Sequence, residues 1–412
     1  MTELTPVGPL PAISEVSPEQ LGAWLEARGE PGYRVGQLLA GAHRPDVAAF
    51  DELSDLPRRL RTELEAGFRF SAIAASHVLT TDDGLTAKAV HQLHDGQRIE
   101  SVLMRYPGRG AAATRTTICI SSQAGCAVGC PFCATGQAGF GRQLSAGEIV
   151  DQVLHWHRSP WLALGAGWRA SDPTGHYNIV FMGMGEPLNN ADRVFDAVRL
   201  LNDPGRLGIG ARHITVSTSG VVPAIDRMIE ELPQVNLAIS LHAARDELRD
   251  ELVPLNRKWP IAALIDAAQR FARATRRRVS LEYVLIDGVN DAPQQARRLA
   301  ELARGWLSHV NLIPLNPTPG SRWSGTPREG IDAFVAVLRE GGVPVTVRDT
   351  RGRQIDAACG QLHAQLAGRA LPPNRRLASA SASAAVGQPR AGAPSARGGK
   401  QAASASSVKV GA

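Results

Sequence analysis

The feature that most limits the fold is an alternation of strand-like and helix-like segments through the middle of the chain. Apolar runs that read as strands fall at Thr116–Ser121, Asn178–Met182, His213–Thr218, Asn236–Leu241, Ser280–Ile286 and Val310–Pro314. Between them lie stretches with helical spacing: Ala146–His157, Asp192–Leu201, Pro223–Glu230, Ile261–Ala274 and Ala292–Ala303. Ile261, Leu264, Ile265, Ala268 and Phe271 keep one apolar stripe. A helix over about Arg328–Glu340 and a strand Val343–Val347 follow. Parallel strands need crossovers, so such alternation predicts a parallel sheet covered by helices. About six units predict an α/β fold of the partial (β/α)6 barrel kind rather than a closed eightfold one. Barrels of this kind carry their sites at the C-terminal ends of the strands.

Those strand ends are polar. The first is followed by SSQAGCAVGCPFCATG, which crowds Cys126, Cys130 and Cys133 into eight of the 412 residues, in a chain with only five cysteines. Gly125, Gly129 and Pro131 suit a loop rather than a helix. Thiolates converging from such a loop select zinc, copper(I) or an iron–sulfur cluster. A structural zinc site is closed by four ligands, whereas three cysteines on a 4Fe–4S cluster leave one iron open. Zinc would recruit Cys119 as fourth ligand, although it stands seven residues upstream of Cys126. The later strand ends carry Gly185 and Glu186, then Ser217 to Gly220, then Ser240, Leu241 and His242, then Asn316. Together they outline a cofactor pocket around the cysteine loop. Alone, each has an ordinary explanation: glycine-rich turns are common, and a lone histidine is usually structural.

On either side of this core the pattern changes. Ser17-Pro18-Glu19-Gln20 is a helix start, and further short helices are expected around Val35–Leu39 and Pro57–Glu65. Residues 1–75 therefore read as a small helical accessory domain. Its arginines, Arg34, Arg58, Arg59 and Arg61, are equally explained by a solvated face or by RNA contact. From Ser76 to Tyr106 the period is strand-like, with turns at Asp82-Asp83-Gly84 and His94-Asp95-Gly96. Residues 76–114 read as a β-rich connecting segment ending in a loop over 107–114, and the barrel as 115–367. Residues 368–412 form a low-complexity basic tail whose composition cannot bury enough apolar surface to order it. The net charge of +6 is matched by six basic residues and no acid in 371–412, so the rest is near neutral. Bulk charge thus says little about nucleic-acid binding by the folded part. No apolar run is long enough to span a bilayer, and no signal peptide is visible at the N-terminus. With few cysteines, this points to a reducing cytoplasm, where clustered thiols serve metals or catalysis rather than a disulfide framework.

The Cys-x3-Cys-x2-Cys spacing, with Phe132 before the last cysteine, resembles the signature of the radical S-adenosylmethionine (SAM) enzymes. The chain from about Ser17 to about Leu366 resembles the radical-SAM adenine-C2 methyltransferases of bacterial 23S rRNA, the dual-specificity RNA methyltransferase family. The likeness is carried by RIESVLM, TTICISSQAGCAVGCPFC, FMGMGEPLNN, ITVSTSGVVPAID, LAISLHA, LIPLNP and VRDTRGRQIDAACGQL. It departs from the family in the long loop before Thr116 and in the basic tail.

The resemblance implies a 4Fe–4S cluster on Cys126, Cys130 and Cys133. It implies SAM contacts from Gly185, Glu186, Ser217, Ser240, Leu241, His242 and Asn316, with two SAM molecules used per turnover. It further implies that Cys359 accepts a methyl group, that a 5′-deoxyadenosyl radical takes hydrogen from it, and that the methylene radical adds to C2. Glu100 would then take the C2 proton, and Cys119 would close a disulfide with Cys359 to release the RNA. On residue type alone, Cys119 and Cys359 would read as structural cysteines. The implied substrates are 23S rRNA and the tRNA anticodon loop, the implied reductant is a flavodoxin or ferredoxin, and the implied state is a monomer. Two alternatives stand beside this: methylation at C8 by the related resistance enzymes, and a zinc-stabilised RNA-binding protein.

Overall fold

The computed structural model describes residues 10–107, 115–159, 162, 177–318, 321–348 and 351–362. The expected tail, and the expected loop apart from Pro107, lie outside the described residues.

The N-terminal segment begins with the expected capping box. Ser17 Oγ accepts from the Gln20 N–H, and the Gln20 side chain accepts from the Ser17 N–H, at the start of helix Pro18–Glu26. Helices Tyr33–Ala42 and Arg58–Gly67 follow. Leu21, Leu25, Leu38, Leu60 and Leu64 form their own apolar cluster. The segment is tied to the rest by side chains, not by this core: Glu15 hydrogen-bonds Ser145, and Asp151 accepts from the Ala72 N–H at 2.6 Å and from Ser71 Oγ at 3.1 Å.

Three strands come next: β1 (Ile73–Thr80), β2 (Thr86–Leu93) and β3 (Arg98–Tyr106). They form an antiparallel meander whose turns are the two Asp/Gly turns read from the sequence. The meander is more than a connector, because β3 pairs antiparallel with β4 (Arg115–Cys119), Val102 standing opposite Cys119. It therefore extends the main sheet and covers what would otherwise be the open edge of β4.

After β4 the chain makes a two-stranded ribbon, β5 (Gln123–Gly125) and β6 (Phe140–Gln143), with the cysteines in the turn between them. The parallel strands are β7 (Tyr177–Phe181), β8 (Ile214–Thr218), β9 (Asn236–Ser240), β10 (Val279–Leu285), β11 (Ser308–Pro314) and β12 (Val345–Val347). The sheet runs β1-β2-β3-β4-β7-β8-β9-β10-β11-β12, parallel from β4 onward. It is an open barrel of the expected kind. Helices Ala146–His157, Ala191–Asn202, Val222–Glu231, Ile261–Thr275, Pro293–Ala303 and Arg328–Glu340 follow successive strands. The stripe read on Ile261–Thr275 is buried at Ile261, Leu264, Ile265, Ala268 and Phe271. No helix among the described residues is long and apolar enough to cross a membrane.

Candidate active site

The ends of the parallel strands surround one cavity. Its wall includes Cys126, Cys130, Cys133, Gly185, Glu186 and Ser217, and is completed by Ser240, His242, Asn316 and Cys359. Ten of the sequence-derived site residues thus meet at one place. Leu241 does not line it: the side chain is buried in the core, and its N–H donates to the Glu282 carbonyl at 3.0 Å.

The cysteine loop is held from both sides. The Cys126 N–H donates to the Gly139 carbonyl at 2.8 Å, across the β5–β6 ribbon. This tight crossing explains Gly125, whose φ is +81° and whose added Cβ would strike the Gly139 carbonyl. From the C-terminal side, the Gly360 carbonyl accepts from the Ala134 N–H at 2.7 Å, and the Leu362 carbonyl accepts from Thr135 Oγ1 at 2.5 Å.

All five cysteines are free thiols. Burial pushes the Cys126 thiol up to about 12, and pushes Cys130 and Cys133 upward as well, each held up further by a neighbouring cysteine of the set or by Cys359. Such dry thiols ionise only against positive charge, which a bound metal centre supplies. Among the described residues, no three His, Cys, Asp or Glu side chains converge closely enough to hold a single ion. A cluster asks less, since each thiolate binds a different iron. The three thiols on one cavity wall therefore fit a 4Fe–4S group better than zinc. Cys119 is not beside them: it lines a separate small cavity.

Glu186 is 3% exposed, and its carboxylate accepts from Ser219 N–H and Oγ, both at 2.7 Å, and from the Leu188 N–H at 3.0 Å. Burial raises its pKa, and these donors work against the rise. Gly185 has φ +104°, and an added Cβ would lie 2.6 Å from Gln123 Cβ. The Gly183–Glu186 turn thus lies directly on β5, where Gln123 Oε1 accepts from the Glu186 N–H at 2.8 Å. Ser217 and Ser240 bring their hydroxyls within 3.3 Å of each other. His242 adopts φ +59°, uncommon outside glycine. The Val284 N–H donates to its Nδ1 at 3.1 Å, and Phe132 meets its ring edge-on at 5.1 Å. Burial, aided by the Arg249 charge, lowers its pKa to about 3, so the ring is neutral at physiological pH. Asn316 donates from Nδ2 to the Cys359 carbonyl at 3.2 Å and accepts from Arg353 Nε at 2.9 Å.

The smaller cavity adjoins the first. Cys119, Cys359, Asn316, Arg348, Tyr106 and Met104 line it. Cys359, Asn316 and Arg348 belong to both walls. Burial, reinforced by Cys359, pushes the Cys119 thiol up to about 12, with Arg348 acting against it. Glu100 lines neither cavity. It is fully buried on β3, on the same face of the pleat as Val102, which stands opposite Cys119. Lys88 Nζ lies 3.2 Å from the Glu100 carboxylate and donates to the Asp356 carbonyl at 3.2 Å.

Sequence reading missed Ser219, Gln123, Lys88, Arg249 and Arg348. Ser219, Gln123 and Arg348 lie inside motifs that also carry predicted site residues. Nothing local marks Lys88 and Arg249: they are basic residues in ordinary company, placed by the fold alone.

The comparisons with known proteins agree with this geometry. The model of the radical SAM superfamily matches residues 120–300. A Frankia alni protein named "Probable dual-specificity RNA methyltransferase RlmN" is 49% identical over 375 residues, 89% of this chain and 85% of its own. One of the same name from Thermobifida fusca is 49% identical over 357 residues, 85% of this chain and 94% of its own. The crystal structure of a radical SAM methyltransferase from Sphaerobacter thermophilus superimposes with a TM-score of 0.80 at 47% identity, covering 87% of this chain and all of that one. With identity near one half over most of both chains and the cluster loop in place, the chain belongs to the RlmN family of radical SAM methyltransferases.

Proposed function

We propose that the protein methylates C2 of adenine in 23S rRNA and in the tRNA anticodon loop, using Cys359 as methyl carrier. The observation that carries this reading is the double position of Cys359, in the cavity of the three cysteines and also in the cavity of Cys119. A thiol placed so can meet SAM chemistry on one side and a resolving thiol on the other.

C2 of adenine is electron-poor and has no lone pair, so it cannot attack a sulfonium methyl. The cluster, with SAM bound, would supply the radical that such a carbon requires. The chain's own residues do the rest. Cys126, Cys130 and Cys133 hold the cluster. Gly185, Glu186, Ser217, Ser240, His242 and Asn316 hold SAM, with Leu241 buried behind them, and two SAM molecules are used per turnover. Asn316 also fixes the backbone of Cys359, so cofactor and carrier share one anchor. Cys359 accepts the methyl group as a thiolate, and its carbon, after losing hydrogen, adds to C2. Glu100, which lines neither cavity but shares a pleat face with Val102 opposite Cys119, is assigned the C2 proton by the family resemblance. The electron left on the adduct would pass back to the cluster. Cys119, as a thiolate, attacks the Cys359 sulfur, so that the C–S pair goes to the methylene carbon, which takes a proton. The methylated base is freed and a disulfide remains. A flavodoxin or ferredoxin supplies electrons. Residues 1–75 form an accessory domain, 76–114 a β-rich segment whose strands extend the barrel's sheet, 115–367 the catalytic barrel and 368–412 a basic tail.

The test separates the two thiols. Cys119→Ala is expected to accumulate a protein–RNA adduct through Cys359, seen on a denaturing gel after nuclease treatment and located by peptide mass analysis. Cys359→Ala should carry none. The reverse pattern would exchange the roles, and two active variants would remove the carrier altogether. Mass mapping of the modified base decides between C2 and C8.

A further inference from the structure

The helix Asp246–Leu252 presents four acidic residues and one arginine, and its sequence, DELRDEL, reads as a solvated surface. Yet Arg249 is fully buried. Its guanidinium spans the strand ends that frame the cavity. Nε donates to the Leu241 carbonyl at 2.9 Å, and Nη2 to the Ser219 carbonyl at 2.6 Å and the Ser240 carbonyl at 3.1 Å. Nη1 donates to Asn256 Oδ1 at 2.8 Å. Ser219 in turn holds the Glu186 carboxylate. One side chain thus fixes β8 against β9 and, through Ser219, both against the Gly183–Glu186 turn.

Each of these bonds goes to a neutral oxygen. Among the described residues no carboxylate lies within ion-pair distance of Arg249, although Asp246, Asp250 and Glu186 are near enough to be felt. A buried cation without a direct counter-ion is costly. Ser219 and Ser240, whose carbonyls Arg249 holds, line the same cavity as Cys126, Cys130 and Cys133, so the group placed to repay that cost is one bound by the cysteine loop. A 4Fe–4S core on three thiolates is anionic, and becomes more so when it takes an electron.

We propose that Arg249 is a positioning residue that sets the SAM-binding strand ends in register and supplies the fixed positive charge against which the cluster is reduced. The inference rests on the cluster-and-SAM reading of the cavity. Lysine would keep the charge and lose the fork that reaches three carbonyls, whereas methionine would lose both.

The experiment compares anaerobically purified, cluster-loaded wild type with Arg249→Lys and Arg249→Met. The readouts are the midpoint potential of the cluster followed by electron paramagnetic resonance, SAM affinity by equilibrium dialysis, iron content and Tm. Arg249→Met is expected to bind SAM about tenfold more weakly and to shift the potential negative by about 59 mV, a tenfold change for one electron. Arg249→Lys should keep the wild-type potential and lose about tenfold in SAM affinity. If both variants keep potential and affinity and only Tm falls, Arg249 is merely structural and the proposal is overturned. If the methionine variant does not fold, the lysine variant decides: retained potential with weakened SAM binding supports the proposal, and unchanged binding overturns it. A wild-type protein that takes up zinc and binds no SAM would overturn the cluster reading, and this inference with it.

Discussion

Lys88 and Glu100 are paired at 3.2 Å with side chains 3% and 0% exposed. At that depth, removing one partner strands the other charge. Lys88→Met is expected to destabilise the protein by about 3–5 kcal/mol, and Glu100→Gln by a similar amount. The double variant should recover much of the loss, since no unpaired charge is left. Urea unfolding of all three tests this: strictly additive losses would mean that the pair is not coupled. Lys88 also reaches the Asp356 carbonyl, three residues before Cys359, so the same substitution should loosen the Cys359 loop. Faster alkylation of Cys359 in Lys88→Met than in wild type would register that loosening. These roles were invisible in the sequence. Glu100 was found only through its motif, and Lys88 looks like any basic residue on a strand.

The elements were legible where their residues are buried on a regular period. β8, β9 and β10 are short apolar runs, and the helix Ile261–Thr275 keeps its stripe. The β5–β6 ribbon was not legible, because its strands span three and four residues and β6 has no buried residue to set a period. Its presence explains the glycine of the next turn. Gly185→Ala must place a methyl against Gln123 at a backbone angle that L-residues avoid, at a cost of about 1–3 kcal/mol from the backbone alone. Gly84→Ala is the control: φ there is +64°, with nothing within 4 Å of the added carbon. Equilibrium dialysis should show weakened SAM binding for Gly185→Ala and none of that loss for Gly84→Ala. Equal affinities would mean that the turn does not shape the pocket. The arginines of the first helices also look different in place. Arg59 pairs with Glu30 and Glu63, both at 2.8 Å, and Arg34 with Glu30 at 3.5 Å, which argues for a solvated ion-pair network rather than a free basic face.

Acid acts on the molecule as a whole. His43, His155 and His157 are lowered to about 4 and His242 to about 3, with His91 well below its ordinary value, chiefly because burial disfavours the charged ring. Their unfolded forms take up protons near pH 6.5 while the folded forms do not. The stability these neutral rings contribute is therefore complete above about pH 6.5 and is lost as pH falls toward 4. Each contributes about 1.4 kcal/mol per pH unit inside that window. Asp151 and Glu186 oppose them: burial raises both, Asp151 to about 6, so acid relieves their buried charges. Five rings against two carboxylates predict a falling Tm between pH 6.5 and 4, measured by calorimetry on the cluster-free protein. A flat profile would contradict the burial of these rings, and His155→Asn should make the slope shallower.

The two carbonyls that brace the cysteine loop from the far side, Gly360 and Leu362, lie more than two hundred residues beyond it in the chain. The near side of the loop is the local β5–β6 ribbon, which a growing chain has in hand once it has passed Gln143. Contacts of such long sequence separation form late, because their loop-closure entropy must be met first. During synthesis the three thiols are therefore gathered early and walled in last. Cys359 arrives with the closing segment. The order of manufacture thus leaves the three thiols open until the closing segment is made, and seats Cys359 in the same step that seals them.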